Sequence, residues 1–122
     1  MGNLLGSAID NLDGQLNDYL ITALWSSTDS DCIPLDDNYD ISDIDESVVS
    51  SSRADLQRFY DIACIYLNDT DKNWGHDFWL TRNHHGSGFW GGDYENGDTL
   101  SDICKEFDSV DLYVGNDGKI YI

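Results

Sequence analysis

His76-Asp77-Phe78-Trp79-Leu80-Thr81-Arg82-Asn83-His84-His85-Gly86 decides which fold class this chain takes. Phe78, Leu80 and Arg82 alternate with Trp79, Thr81 and Asn83, and that period of two predicts a strand running into a turn at His84-His85-Gly86. Gly88-Phe89-Trp90 then reads as the returning strand. Downstream, Asp98 ahead of Leu100, Ile103, Cys104 and Phe107 predicts a capped short helix. Val110, Leu112 and Val114 alternate as a strand, and Gly115-Asn116-Asp117-Gly118 predicts a tight turn that returns through Ile120 and Ile122.

Upstream the period is helical. Ile9, Leu12, Leu16, Tyr19, Leu20, Ala23 and Leu24 fit one helix from about Ile9 to Trp25. Leu56, Phe59, Tyr60, Ala63 and Leu67 place a second from about Val48 to Leu67, entered through Ser42-Asp43-Ile44-Asp45-Glu46 with Ser42 or Asp43 as its cap. Between them, Ser26 to Ser42 holds the only proline, Pro34, and reads as an acidic loop pinned by Ile33, Leu35, Tyr39 and Ile41. Asn68 to Asn73 breaks the helical pattern. The fold class expected is α+β, with N-terminal helices packed on a small antiparallel β-sheet and one additional short helix. A length of 122 residues suits a single domain, 1–122, with a helical acidic half (1–68) and a β-rich half (76–122).

The charge is one-sided. There are 24 acids against 6 bases, a formal charge of −18, and no lysine or arginine before Arg53. Such a surface repels phosphates and anionic lipid, which argues against direct nucleic-acid binding and against membrane binding. Only Glu46, Glu95 and Glu106 among the acids are glutamates, and aspartate favours caps and turns, so the charge should gather at element ends and in loops. Aromatics at 12% provide a core and separate the chain from disordered acidic sequences. Cys32, Cys64 and Cys104 lack C-x-x-C spacing and read as reduced thiols in a reducing compartment. Met1 to Gly6 has neither a basic start nor a long apolar run, so no signal peptide is expected.

Gly75 to Asn83, His85-Gly86, Gly88-Phe89-Trp90, Gly97-Asp98-Thr99-Leu100, Ser109 to Gly115 and Asp117-Gly118-Lys119-Ile120 form a connected pattern, joined by Trp25 to Asp29 and Pro34-Leu35-Asp36. It resembles a family of small acidic proteins of unknown function encoded by tailed bacteriophages. His84 stands where that pattern has glycine, and Gly91-Gly92 replaces a more polar pair. The resemblance implies a phage origin and expression in the host bacterial cytoplasm.

Charge and resemblance together point to a non-enzymatic DNA mimic that inhibits a host nucleic-acid-binding protein: a restriction enzyme, a CRISPR effector or a DNA-repair enzyme. Asp29, Asp31, Asp36, Asp37, Asp40, Asp43, Asp45 and Glu46 are its candidate partner-binding residues, with pairs such as Asp102 and Glu106 extending a phosphate-like track. An alternative is a small enzyme or ligand site around Arg82, Asn83, His85 and Asp93, where a histidine beside an arginine and a carboxylate suits acid–base chemistry. A third is a structural phage protein with a solubilising acidic surface. Arg82 also fits a plainer role, an ion pair with a carboxylate such as Asp93. Trp79 and Trp90 fit core packing better than base stacking, which needs a cationic groove.

No cofactor and no metal are expected. Adjacent histidines on a strand face opposite ways, so His84 and His85 do not share an ion with His76, Asp77 or Asp93. Asp69 to Asn73 copies the start of a calcium loop, but Trp74 and Leu80 occupy the required glycine and glutamate places. A monomer, or a homodimer through an aromatic sheet face, completes the expectation.

Overall fold

In the computed structural model, which describes residues 2–68, 73–84, 88–89 and 94–122, with side chains from Leu12 onward, the first apolar period becomes helix α1, Gly2–Ser26. Leu16, Tyr19, Leu20, Ala23 and Leu24 are buried along one face, spaced three and four apart. Helix α2, Glu46–Ala63, buries Val48, Ser52, Leu56, Phe59 and Ala63 and ends in a three-ten turn, Cys64–Tyr66. Its cap is Asp45, not Ser42 or Asp43: the Asp45 carboxylate accepts from the Ser47 N–H at 3.0 Å, while Asp40 caps a separate three-ten turn, Ile41–Asp43.

The expected strand over Phe78 to Asn83 is instead a helix, α3, Trp74–Arg82. Seven of its nine residues are buried, so polar and apolar side chains do not segregate and no 3.6-residue stripe exists to be read. Trp74 and Phe78, one turn apart, both stack on Phe59, while Trp79 meets Tyr19 edge-on. Gly88-Phe89 is not a returning strand either. The Phe89 N–H donates to Thr81 Oγ1 at 3.1 Å and its ring is fully buried beside Phe59, so the segment docks back on α3. Trp90, His85 and Gly86 lie outside the described residues.

Phe59 is the hub of the core. Its ring lies 4.5 Å from Phe78, 5.6 Å from Trp74, 5.6 Å from Phe89 and 6.2 Å from Phe107. Pairs of this kind contribute about 0.5–1.5 kcal/mol each beyond area burial. Helix α4, Gly97–Cys104, closes the cluster with Leu100 and Cys104. Asp98 sits in its first turn, and Asn96 occupies the cap position but spends its amide on the Tyr66 carbonyl at 3.1 Å.

The sheet among the described residues is one antiparallel hairpin, β1 (Tyr113–Val114) with β2 (Ile120–Tyr121), in the register Tyr113↔Tyr121 and Val114↔Ile120. Gly118, at φ 79°, makes the turn where the sequence places it. Val110 and Leu112 precede the strand, Leu112 buried. With helices N-terminal and a small hairpin, the fold is α+β; within 76–122, however, α3 and α4 carry much of what reads as β-rich from sequence.

Helices α1 and α3 touch at Gly75. Its N–H donates to Gln15 Oε1 at 2.7 Å, and a β-carbon there would overlap the Gln15 carbonyl oxygen. Gly14 is exposed on α1 with open space where a β-carbon would stand. Gly75→Ala is therefore expected to lower stability by about 1–3 kcal/mol, because two backbones must separate. Gly14→Ala should raise it by about 0.5–1 kcal/mol through helix propensity. Thermal unfolding followed by circular dichroism reads both, and equal melting temperatures for the two variants would refute the close contact.

Candidate functional site

The acidic segment is built from its own backbone outward. Asp29 Oδ1 accepts from the N–H groups of Asp31 (2.8 Å) and Ile33 (3.1 Å), turning the chain around Cys32, which takes a left-handed φ of 63°. A bridge between Thr28 and Pro34 closes this turn, and the Leu35 N–H donates to the Ser27 carbonyl at 2.9 Å. Leu35 then enters the core at 1% exposure, whereas Ile33 remains 38% exposed and pins nothing. A three-ten turn at Leu35–Asp37 follows, then the turn capped by Asp40, whose own N–H donates to Asp43 Oδ2 at 2.9 Å. Ile44 is buried at the far end, and the Asp45 N–H donates to the Ile120 carbonyl at 2.9 Å. The segment is thus staked to the core at Leu35 and Ile44, and the carboxylates of Asp29, Asp40, Asp43 and Asp45 are held by local hydrogen bonds.

Two of those carboxylates are held in the charged form by their neighbours. Hydrogen bonds from Ser42 hold the Asp40 carboxyl below the usual carboxylate range, and hydrogen bonds from Ser47 do the same for Asp45.

Most of the described cations are spent elsewhere, though the Lys119 charge also helps to draw the Asp45 carboxyl down. Arg53 pairs with Asp13 at 2.5 Å, Arg82 with Asp55 at 2.8 Å and Lys105 with Asp102 at 3.0 Å. Arg58 lies 3.9 Å from Asp55 and 4.5 Å from the Phe107 ring centre. Among the described residues, no cation forms an ion pair with Asp29, Asp31, Asp36, Asp37, Asp40, Asp43, Asp45 or Glu46. Asp102 and Glu106 do not extend this track as a helical pair, because α4 ends at Cys104 and Asp102 is engaged by Lys105.

Beside the segment, α1 forms one wall of an open groove of about 680 Å³. Ile21, Leu24, Tyr39 and Ile41 supply its apolar surface, and Asp36 and Asp40 stand among its lining residues. Sequence reading misses it because its walls come from residues twenty positions apart that meet only in the fold.

The alternative site is engaged by the fold where it is described. Arg82 is 4% exposed and donates to the Asp108 carbonyl from Nε (3.0 Å) and Nη2 (2.7 Å), and to Asp55 and the Tyr19 hydroxyl from Nη1. Its carboxylate partner is Asp55, where sequence reading looks to Asp93. Asn83 donates to the Trp79 carbonyl and accepts from the Val110 N–H. Both side chains strap the 108–110 segment to the end of α3. His85 and Asp93 lie outside the described residues. Burial pushes the neighbouring Cys104 thiol up to about 12, which keeps it protonated and weakly nucleophilic.

His76, on α3, has the clearest polar network of the described histidines. Its Nδ1 is 2.7 Å from Thr22 Oγ1, and that hydroxyl already donates its proton to the Asp18 carbonyl, so Nδ1 is the donor. Nε2 faces Asp77 at 3.9 Å, and the ring lies 5.9 Å from Trp25. Thr22 is buried and engaged, so no activated nucleophile results. Among the described residues no three histidine, cysteine or acidic side chains are grouped to hold a metal, and the calcium-like stretch falls largely outside them. Trp79 is buried and donates its indole N–H to Ser26 at 2.7 Å; the exposed tryptophan among the described residues is Trp25. The aromatic sheet face is the stacked pair Tyr113 and Tyr121, 5.9 Å apart.

No protein-family model, curated protein or solved structure matches this chain.

Two measurements check the geometry. Arg82→Ala should cost about 2–3 kcal/mol in urea unfolding, since it removes the buried guanidinium that holds Asp55 and the Asp108 carbonyl, and Arg82→Lys should not restore it. An unchanged urea midpoint would show the strap to be dispensable. Because the folded pKa values of Asp40 and Asp45 are depressed, the stability they contribute is fully present above the unfolded value of about 3.9 and lost as pH falls through the folded values. Carboxyl carbon NMR titration should place both midpoints below that value, and Ser42→Ala and Ser47→Ala should raise them respectively.

Proposed function

We propose that this chain is a phage-encoded DNA mimic, a non-enzymatic inhibitor that occupies the nucleic-acid groove of a host protein. The observation that carries this reading is the staked segment from Asp29 to Glu46: eight acids, none in an ion pair with a described cation. Asp29, Asp40, Asp43 and Asp45, held by local hydrogen bonds, lose little freedom on binding, so a cationic groove recovers most of their attraction. A duplex offers one negative charge per roughly 1.7 Å of axis, and a protein that evolved to hold it meets clustered carboxylates with the same lysines and arginines.

The phage resemblance supplies the biological setting, inhibition in the host bacterial cytoplasm of a restriction enzyme, a CRISPR effector or a DNA-repair enzyme. Among the described residues no helix is long and apolar enough to cross a membrane.

Immobilised protein should retain a cationic DNA- or RNA-handling protein from bacterial lysate and release it to added duplex DNA or to salt. Asp36→Lys with Asp37→Lys should weaken that retention by about 10-fold or more while leaving the circular dichroism spectrum unchanged, because both side chains are exposed. A retained protein that still binds its DNA normally, or retention unaffected by the reversal, would rule the mimic out.

A further inference from the structure

The groove between α1 and the acidic segment differs from the rest of the anionic surface. Ile21 is 45% exposed at mid-helix, and Trp25, one turn on and on the same side, is 43% exposed. Ile21 meets Leu24, Tyr39 and Ile41 in a concavity of about 680 Å³, within the range of ligand-holding clefts, about 300–1,000 Å³. Polynucleotide mimicry requires no such feature, since a phosphate track has no apolar cleft.

Charge identifies the occupant. Asp36 and Asp40 line the groove, and Asp37 and Asp43 lie within the same run of the chain, so an anionic ligand is repelled. A second copy would bring another −18 charge and another Asp36 and Asp40 against the first. A neutral apolar ligand would fill the floor and leave the carboxylates without counterparts. A cationic segment with one large apolar side chain satisfies both surfaces.

We propose that this groove docks a basic peptide segment of the inhibited protein, which inserts a single aromatic or aliphatic anchor against Ile21, Leu24, Tyr39 and Ile41 while its flanking lysines and arginines pair with Asp36 and Asp40. The proposal rests on the anionic reading above and adds to it a source of selectivity. Long-range charge attracts any basic protein; the anchor retains only one whose basic stretch carries an apolar residue at the right place. Interfaces generally concentrate their energy in one such buried anchor ringed by polar contacts.

The test uses two fluorescein-labelled lysine- and arginine-rich peptides, identical except for tryptophan or serine at the centre, titrated with the full-length protein by anisotropy. The tryptophan peptide should bind about 10-fold more tightly. Both affinities should fall between about 50 and about 300 mM NaCl, while the ratio between them persists, because salt screens the charges and not the anchor. Ile21→Ser should abolish the ratio and leave the serine peptide's affinity unchanged, with thermal unfolding showing that the fold is retained.

Equal affinities for the two peptides, or a ratio that survives Ile21→Ser, would overturn the groove while leaving the anionic reading intact. Failure of both peptides to bind at low salt would overturn both. A concentration-dependent dimer in sedimentation that Ile21→Ser dissolves would assign the groove to a second copy and overturn the proposal equally.

Discussion

Helix α3 is nine residues long and buried around nearly its whole circumference, and the rest of the molecule is arranged to meet that demand. Glycine at position 75 lets α1 approach to backbone contact, Phe59 of α2 stacks on Phe78 at 4.5 Å, and Phe89 and α4 close the remaining side. At the helix end, Arg82 is the polar counterpart of this packing. One guanidinium ties together α1 through Tyr19, α2 through Asp55 and the 108–110 approach to the hairpin through the Asp108 carbonyl. Burial pushes the Tyr19 phenol up despite the adjacent Arg82 charge, so the hydroxyl remains a neutral acceptor for it.

This placement of cations shapes the electrostatics of the whole chain. A protein with six bases has few to distribute, and here Arg53, Arg58 and Arg82 are all committed to α2 and its neighbours. The anionic character of the segment from Asp29 to Glu46 is therefore a by-product of how the core is fastened as much as of how many aspartates the segment contains. Leu35 and Ile44 anchor that segment to the core, each a buried side chain flanked by backbone hydrogen bonds.

Much of this architecture is legible in the residues themselves. The apolar spacing of Leu16, Tyr19, Leu20 and Ala23, and of Leu56, Phe59 and Ala63, marks α1 and α2, and Asp117-Gly118 marks the terminal hairpin. Aspartate's preference for caps and turns places charge at Asp29, Asp40, Asp45 and Asp117. Helix α3 reads wrongly as a strand because periodicity reports a boundary between core and solvent, and a helix surrounded by core has none. For the same reason Arg82 looks like a site residue: its sequence neighbours say nothing of Asp55 or Asp108, which arrive from 27 and 26 positions away. The groove is hidden for a related cause, since Ile21 reads as an ordinary helical apolar residue until the acidic segment is laid beside it.

The local hydrogen bonds of the acidic segment also explain why Asp29, Asp40 and Asp45 are aspartates and not glutamates. A carboxylate one carbon from the backbone reaches the N–H groups two residues on, as at Asp29, Asp40 and Asp45; the longer side chain overshoots them. Each of these groups therefore carries both the negative charge and the bend that holds its neighbours in place. Under mutational drift the two properties separate along one route only. Replacement by asparagine keeps the bend and discards the charge, while replacement by glutamate keeps the charge and loosens the bend. A lineage selected for both at once has aspartate as its sole solution at these positions, and its composition is narrowed accordingly.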